Sequence, residues 1–254
     1  MDLNFKQYGH GQPLVIIHGL FGSLDNWHTI SEKLAGHFEV YALDLRNHGR
    51  SPHSPEMNYG LLAGDVREFM RRRRMAEASV LGHSMGGKVA MQLALQYPAV
   101  VSKLIVVDIA PRAYAPRHDK MIAGMLALEL AGFQSRKEIE AALAPAVPEL
   151  ATRQFLLKNV ERSAPGGFHW RIGLPEIAQN YSRLNEELQS DQSFDKPSLF
   201  IRGEKSDYLV PGDLEAIQKF FPKSILQAIP GAGHLVHIEN PKDFLAAVVH
   251  FLNS

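Results

Sequence analysis

The chain has 254 residues, of which 45% are hydrophobic and 21% charged, a size and composition that suit one large α/β domain. Its 27 basic and 27 acidic side chains cancel, so the net charge gives no support for nucleic acid or an anionic membrane as a partner. The absence of cysteine excludes disulfides, thiolate catalysis and cysteine-ligated metals. The polar N-terminus has no signal-peptide pattern and no apolar run approaches membrane-spanning length, so we expect a cytoplasmic protein.

The first predicted strands lead into a glycine-rich loop. Residues 3–8 alternate apolar and polar side chains, which predicts an edge strand, and the apolar run 14–17 predicts a strand buried on both faces. The loop after it, residues 18–23, has the sequence HGLFGS. Acyl-transfer chemistry needs two N–H donors for the oxyanion, one of them from such a loop. The Leu20 N–H is the candidate, with the Phe21 N–H as the neighbouring alternative.

A helix, a strand, a polar loop and a second helix follow. The first helix is predicted over residues 26–35 and the strand over 38–43. We expect the Asp and Asn side chains of loop 44–51 to hold its backbone by hydrogen bonds, with pocket lining as the alternative role. The helix over 58–75 ends in four arginines, residues 71–74. These cations suit the negative end of a helix dipole better than a nucleic-acid patch, because no aromatic residues are interleaved with them.

The next stretch has the pattern of a nucleophile elbow. An apolar strand over residues 78–81 precedes the sequence GHSMG at 82–86, and a helix is predicted over 88–97. Strand, sharp turn and helix is the context in which G-x-S-x-G presents a nucleophilic serine. Ser84 is therefore the candidate nucleophile, and the Met85 N–H at the start of the helix is the first candidate oxyanion donor.

A long insertion separates two strands of the predicted sheet. The strand over residues 103–108 ends in Asp108, and we expect no further strand of the parallel sheet between residues 111 and 197. Short helices are predicted there over 121–130, 136–143, 150–160 and 175–188, with prolines between them that include Pro165. We interpret this insertion as a cap over the active-site edge. Within it, Arg171 is interpreted as a surface cation packed on Trp170, with a substrate-facing role as the alternative.

The last part of the chain returns to the sheet. Strands are predicted over residues 198–202 and 225–229, and Asp207 lies in the polar segment that follows the first of them. His234 follows the second strand in the sequence Gly-Ala-Gly-His, and a final amphipathic helix extends through residue 252. The glycines beside Ala232 give the backbone the freedom to bring His234 toward Ser84.

Other histidines are weaker candidates. We expect His18 to pack beside the oxyanion loop and His237 to contact the cap. His83 is the variable residue of the elbow. A metal site formed by His234, His237 and Glu239 is disfavoured, since the segment does not present two histidines four residues apart on a clear helix.

The alternation of strands and helices predicts a doubly wound, mostly parallel sheet with the candidate groups at one edge. Their chain order is Ser84, an acid, and His234, which is the order of the α/β-hydrolase triad. His234 would take the serine proton, and a carboxylate would orient its other ring nitrogen. The order of elements favours Asp207 as that acid, and Asp108 stays open as the alternative because it also follows a strand at the same edge.

Six stretches of the sequence together carry a resemblance to a known family. They are HGLFGSLDN at residues 18–26, D-x-RNHG at 44–49, GHSMGGK at 82–88, DIAP at 108–111, QFLL at 154–157 and GAGH at 231–234. Across almost its full length the chain resembles the α/β-hydrolase superfamily, and more narrowly the YbfF-type esterases, small bacterial hydrolases of acyl-CoA and short-chain esters. The resemblance implies Ser84 as nucleophile and His234 as base. It also favours Asp108, because such esterases place the acid in the DIAP motif.

The predicted architecture is therefore an α/β-hydrolase core over residues 1–110 and 198–254, with a helical cap over 111–197 inserted before the penultimate strand. We expect an enzyme that hydrolyses a small-molecule ester or thioester through an acyl-enzyme and requires no cofactor or metal. Two alternatives remain: another chemistry on the same fold, such as that of a lyase or C–C bond hydrolase, and a non-catalytic ligand-binding protein. Arg112, Arg117 and Arg171 are candidate contacts for a coenzyme A phosphate.

Overall fold

The chain folds around a seven-stranded sheet in the computed structural model, which describes residues 1–164 and 166–254. The strands, in chain order, are β1 (Phe5–Tyr8), β2 (Pro13–Ile17), β3 (Glu39–Leu43), β4 (Ala78–His83), β5 (Val101–Val107), β6 (Val160–Arg162), β7 (Phe168–Trp170), β8 (Ser198–Gly203) and β9 (Ser224–Ile229). The sheet has the spatial order β1-β3-β2-β4-β5-β8-β9. The edge strand β1 runs antiparallel to β3, and all other neighbours in this sheet are parallel.

Helices cover both faces of the sheet. In chain order they are α1 (His28–Leu34), α2 (Tyr59–Arg72), α3 (Met85–Gln96), α4 (Asp119–Leu126), α5 (Arg136–Leu143), α6 (Leu150–Leu157), α7 (Leu174–Leu184), α8 (Leu214–Phe220), α9 (Val236–Glu239) and α10 (Pro241–Asn253). Short 3-10 turns cover Leu24–Trp27, Pro98–Val100, Leu130–Gly132 and Pro211–Asp213. Among the described residues, no helix combines the length and apolar character needed to cross a membrane.

The continuous apolar strands explain why the sheet is buried on both faces. Successive side chains of a strand point to opposite faces, so Val15 and Ile17 of β2 pack in one hydrophobic cluster and Leu14 and Ile16 in the other. The first cluster includes α2 and α3, and the second includes α1 and α10. This architecture confirms the predicted mostly parallel sheet flanked by helices.

Several predicted helices have different bounds in the structure. The segment predicted as one helix over residues 26–35 is a 3-10 turn followed by α1, and the Asn26 side chain accepts a hydrogen bond from the Ser23 N–H at 2.8 Å instead of capping the helix as N-cap. The elbow helix α3 begins at Met85, three residues before the predicted start at residue 88. The predicted final helix is α10, which Asn240 caps, and a short helix that was not predicted, α9, precedes it.

The four arginines at the end of α2 lie where the dipole interpretation placed them. Arg71 and Arg72 form ion pairs with Glu68 one turn earlier, at 2.7 and 2.8 Å. The guanidinium of Arg73 lies 4.0 Å from the ring centroid of Phe5. Three of the four arginines therefore contact other side chains of the same protein.

The segment between β5 and β8 contains α4 to α7 and a short hairpin. Strands β6 and β7 pair antiparallel, with Val160 opposite Trp170 and Arg162 opposite Phe168. The sequence analysis missed this hairpin, because three-residue strands are too short to show an alternating pattern. The predicted break at Pro165 lies outside the described residues. The division into core and cap along residues 110/111 and 197/198 stays a prediction.

Candidate active site

The residue Ser84 lies at a sharp turn between β4 and α3. Its backbone has φ 54° and ψ −122°, a strained conformation for a residue with a side chain. Gly82 and Gly86 permit the close approach of strand and helix, since a Cβ on Gly82 would lie 2.1 Å from the Gly86 carbonyl oxygen. The Ser84 N–H donates to the Val107 carbonyl at 2.9 Å, which fixes the turn to β5. This is the geometry that the G-x-S-x-G pattern predicts.

The structure brings the side chains of Ser84, His234 and Asp108 into one hydrogen-bonded row. His234 Nε2 lies 3.1 Å from Ser84 Oγ, and His234 Nδ1 lies 2.8 Å from Asp108 Oδ2. In the neutral imidazole, Nδ1–H donates to the carboxylate and Nε2 accepts from the serine hydroxyl. A hydroxyl, an imidazole and a carboxylate in this order can activate the hydroxyl as a nucleophile.

The carboxylate of Asp108 is fully buried and held from three sides. Oδ1 accepts from the Gly203 N–H at 2.9 Å, and Oδ2 accepts from the Ser206 hydroxyl as well as from His234. The Asp108 backbone has a positive φ of 55° and its N–H donates to the Ile201 carbonyl at 2.8 Å. Because all its partners are donors, the carboxylate is satisfied without contact with water.

The other candidate acid, Asp207, lies elsewhere. Its side chain is 69% exposed and forms an ion pair with Arg117 at 2.9 Å. This pairing lowers the pKa of the Asp207 carboxyl, chiefly through the hydrogen bond from Arg117. Within the described residues no hydrogen bond joins Asp207 to His234. The preference that element order gave to Asp207 therefore disagrees with the geometry, which brings Asp108 to the imidazole.

Two backbone N–H groups point to an oxyanion site next to Ser84. Met85 is the first residue of α3, so its N–H has no acceptor within the helix. The Leu20 N–H donates to no protein atom in the described part of the chain. The alternative donor, the Phe21 N–H, already donates to His48 Nε2 at 3.2 Å. Leu20 is thus the donor that the loop leaves unengaged.

Two neutral histidines hold this loop in place. His18 Nε2 accepts from the Leu45 N–H at 3.1 Å while its Nδ1–H donates to the Gly19 carbonyl at 2.7 Å. His48 has the same arrangement, with Nδ1–H donating to the Arg46 carbonyl at 3.0 Å. Burial lowers the pKa of His18 to about 4 and that of His48 to about 3, so both stay uncharged near neutral pH. The expected packing of His18 beside the loop is thereby explained.

The loop after β3 supports the same region. The carboxylate of Asp44 accepts from the Leu24 N–H at 2.8 Å, the Arg50 N–H at 2.9 Å and the Asn4 side-chain amide at 2.7 Å. The loop is therefore held by its own Asp side chain, as the sequence indicated.

A second pair of buried histidines packs behind His234. His83 Nε2–H donates to the carbonyl of His234 at 2.9 Å. The His237 ring stacks on Trp27 with centroids 4.1 Å apart and an interplanar angle of 9°. Its expected contact with the cap stays a prediction. Burial lowers the pKa of His83 well below its usual value and that of His237 to about 3. Both rings are neutral packing groups near neutral pH.

Two cavities meet at Ser84. The larger, of about 430 Å³, is lined largely by apolar side chains from the oxyanion loop, α4, α6 and α9, among them Phe21, Met121, Phe155 and Ile238. The smaller, of about 50 Å³, is lined by tyrosines, Leu20, Met85 and Lys88. The site can therefore hold a substrate with one apolar part and one small part on either side of the serine.

The arginines considered for a coenzyme A phosphate are each paired with carboxylates. Arg112 contacts Asp213 at 2.8 Å and Arg117 contacts Asp207 at 2.9 Å. Arg171 contacts Glu161 at 3.2 Å and Asp25 at 3.7 Å, with only 11% of its side chain exposed. Arg171 is therefore a largely buried cation whose partners Glu161 and Asp25 are 37% and 66% exposed, which differs from the expected surface cation. The Glu239 carboxylate, considered as a metal ligand, accepts from the Gly233 N–H at 2.8 Å.

Sequence reasoning missed two residues of the site. The Ser206 hydroxyl donates to Asp108, and the Tyr208 ring stacks on His234 with centroids 4.0 Å apart. Both flank Asp207, so the polar segment after β8 was correctly placed near the site but the wrong residue was emphasised. The sequence of this segment gives no signal that Ser206 donates to a carboxylate from another strand while the neighbouring Asp207 pairs with Arg117.

Comparison with known proteins gives the family of the chain. The profile of the α/β hydrolase fold family matches residues 12–241. The chain is 38% identical to the mouse sn-1-specific diacylglycerol lipase ABHD11 over 247 residues, covering 94% of this chain and 80% of that protein. It is 34% identical to the esterase YbfF of Escherichia coli over 245 residues, covering 96% and 94%. A solved marine microorganism esterase has 40% identity and a TM-score of 0.96, covering 98% of this chain and 99% of that one.

The chain therefore belongs to the α/β hydrolase fold family, which confirms the resemblance found in the sequence. The relatives are named as esterases, lipases and hydrolases, which is consistent with the expectation of an ester-bond hydrolase.

Proposed function

We propose that this protein is a serine esterase that hydrolyses small-molecule carboxylic esters, and thioesters by the same route, through an acyl-enzyme. The observation that carries the proposal is the row of hydrogen bonds from Ser84 through His234 to Asp108, at 3.1 and 2.8 Å, beside two oxyanion donors and an apolar cavity. The names of the relatives support the reaction class. We also infer that residues 111–197 cap the site and that 1–110 with 198–254 form the core.

In the first half-reaction, Ser84 Oγ bonds to the acyl carbon while its proton passes to His234 Nε2. The electron pair of the carbonyl moves to its oxygen, and the N–H groups of Leu20 and Met85 stabilise that oxyanion. The tetrahedral centre collapses, the bond to the leaving oxygen or sulfur breaks, and the imidazolium gives the leaving group its proton. The acyl group stays on Ser84.

In the second half-reaction, water replaces the leaving group. His234 takes a proton from the water as its oxygen bonds to the acyl carbon, and the bond to Ser84 then breaks, which releases the acid and returns the proton to Ser84. Asp108 keeps the imidazole in the Nδ1–H tautomer and stabilises its cation throughout. The buried carboxylate, with its three donors, is suited to that role because it needs no reorganisation.

Hydrolysis of 4-nitrophenyl butyrate by wild-type protein and by Ser84→Ala tests the proposal. We expect a burst of nitrophenol stoichiometric with enzyme in the wild type and none in the variant. Butyryl-CoA in the same assay tests the thioester part. Steady hydrolysis that Ser84→Ala leaves unchanged would overturn the acyl-enzyme mechanism, and a wild type with no activity on either substrate would favour a binding protein or another chemistry.

A further inference from the structure

Lys88 is a buried ammonium group one helical turn beyond Ser84. Lys88 is 1% exposed, and its backbone N–H donates to the Ser84 carbonyl at 3.2 Å. Side chains on a helix lean toward the N-terminus, which in α3 is the end that carries Ser84. Lys88 accordingly lines the small cavity of about 50 Å³ together with Ser84, Leu20 and Met85.

Among the residues that the structure describes, this ammonium group pairs with a carbonyl oxygen and not with a carboxylate. Its Nζ donates to the Glu186 carbonyl at 2.5 Å and lies 5.4 and 5.0 Å from the ring centroids of Tyr59 and Tyr114. Within the described residues, no Asp or Glu oxygen lies within 4.0 Å of it. An ammonium carries three N–H donors, and a buried charge is costly unless an opposite charge accompanies it.

The tyrosines around the cavity have hydrogen-bond partners of their own. The Tyr59 hydroxyl donates to the Leu184 carbonyl at 2.6 Å and the Tyr114 hydroxyl donates to the Tyr208 carbonyl at 2.5 Å. The Tyr181 hydroxyl accepts from the Arg117 N–H at 3.1 Å. Arg117 and Asn185 also line the cavity, but Arg117 donates to Asp207 and Asn185 donates to the Tyr181 carbonyl, both at 2.9 Å. Among the described residues of this wall, Lys88 is therefore the lysine or arginine that lacks a carboxylate partner.

We propose that the small cavity is an anion subsite, in which Lys88 binds a carboxylate that the substrate carries close to its ester group. This inference rests on the proposed esterase function and names a substrate class for it: short esters with a carboxylate on the small side. A cavity of about 50 Å³ has room for about three to five water-sized groups, which suits a two-carbon arm ending in a carboxylate. The carboxylate would supply the missing opposite charge.

The titration of Lys88 gives the proposal a second signature. Burial, with a smaller contribution from nearby Arg112, lowers the pKa of Lys88 to about 7, and the side chains of Glu186 and Glu187 oppose the shift. A bound carboxylate favours the ammonium form and raises this pKa. Binding of a carboxylate ester should therefore weaken as the pH rises above 7, by up to about tenfold in KM for each pH unit.

Two pairs of esters test the subsite. In each pair, one ester ends in a carboxylate where the other ends in a methyl group. Mono-4-nitrophenyl succinate and 4-nitrophenyl butyrate place the difference on the acyl side; 2-carboxyethyl acetate and propyl acetate place it on the alcohol side. We expect the wild type to prefer the carboxylate ester in one pair. In Lys88→Met, KM for that ester should rise at least tenfold and the preference should disappear. In the same variant, KM for the carboxylate ester should no longer rise with pH.

The outcomes separate the two proposals. Equal losses on both members of a pair in Lys88→Met would show that Lys88 only packs against the tyrosines and holds Glu186, and would overturn the subsite. A wild type that hydrolyses the neutral esters and rejects both carboxylate esters would overturn it as well, with the esterase function intact. Hydrolysis of neutral esters that survives Ser84→Ala would instead overturn the proposed function. If Lys88→Met does not fold, a KM for the carboxylate ester that stays flat from pH 6 to 9 in the wild type rejects the subsite.

Discussion

Asp108 reaches His234 across the end of an intervening strand. Asp108 follows β5 and His234 follows β9, with β8 between them in the sheet, yet Asp108 Oδ2 lies 2.8 Å from His234 Nδ1. The segment after β8 contributes a hydroxyl, from Ser206, that donates to the same carboxylate oxygen. A buried carboxylate with donors from β8 and β9 thus ties three neighbouring strand ends together at the site.

We predict that His83 positions His234 through the backbone. The hydrogen bond from His83 Nε2 to the His234 carbonyl is 2.9 Å long and partly buried, so its loss frees the loop that carries the imidazole. In His83→Leu we expect kcat to fall by roughly tenfold with little change in KM, since small misplacements of reacting groups are costly. Steady-state kinetics on a neutral ester measures both constants.

The matched control is His83→Gln, whose side-chain amide retains an N–H donor. This variant should recover part of the lost kcat. If leucine and glutamine reduce kcat equally, the hydrogen bond to the His234 carbonyl has no positioning role and only the packing of the ring matters.

The larger cavity should limit the length of the apolar group. Ala151, at the start of α6, lines this cavity of about 430 Å³, so Ala151→Trp would occupy part of it. We expect kcat/KM for 4-nitrophenyl octanoate to fall by roughly tenfold or more, as overpacking costs about 1–3 kcal/mol, while 4-nitrophenyl acetate is hardly affected. Ala142→Trp on the exposed side of α5 is the control. Equal losses on octanoate and acetate would mean that the chain does not occupy this cavity.

Buried neutral histidines should make the fold sensitive to acid. The pKa values of His18, His48 and His237 lie at about 4, 3 and 3 in the folded protein, below the value near 6.5 of an unfolded chain. Between these values the unfolded state binds protons that the folded state does not. Stability is therefore full above about pH 6.5 and declines as the pH falls, by up to about 1.4 kcal/mol per pH unit for each histidine.

Urea denaturation at pH 7, 6 and 5 measures this decline in the free energy of unfolding. His237→Phe keeps an aromatic ring on Trp27 and removes one titrating group, so its pH slope should be smaller by about one third of the contribution of these three histidines. A wild-type free energy of unfolding that is constant between pH 7 and 5 would contradict the burial of neutral histidines.

The sequence predicted the parts of the site that backbone chemistry dictates. Ser84 and Met85 follow from a strand, a glycine turn and a helix, and Gly82 is needed because its Cβ would lie 2.1 Å from the Gly86 carbonyl oxygen. His234 follows from the last strand and a flexible Gly-Ala-Gly segment. These positions depend on local sequence, so periodicity and turn chemistry are enough to place them.

The choice between two acids depends on contacts that local sequence does not encode. Asp108 and Asp207 both follow strands at the same sheet edge, and only the three-dimensional structure shows that Arg117 pairs with one while Ser206 and Gly203 donate to the other. The β6–β7 hairpin was missed for a different reason, because its three-residue strands are too short to show an alternating pattern.

The most direct test of the proposed machinery compares Asp108→Asn with Asp207→Asn in hydrolysis of 4-nitrophenyl butyrate. Asparagine at the position that contacts His234 Nδ1 favours the wrong imidazole tautomer, so Asp108→Asn should lower kcat by about 10⁴-fold. Asp207→Asn removes an exposed ion pair with Arg117 and should change kcat by less than about threefold. A collapse of activity in Asp207→Asn with Asp108→Asn near wild type would contradict the assignment of Asp108 as the residue that orients His234.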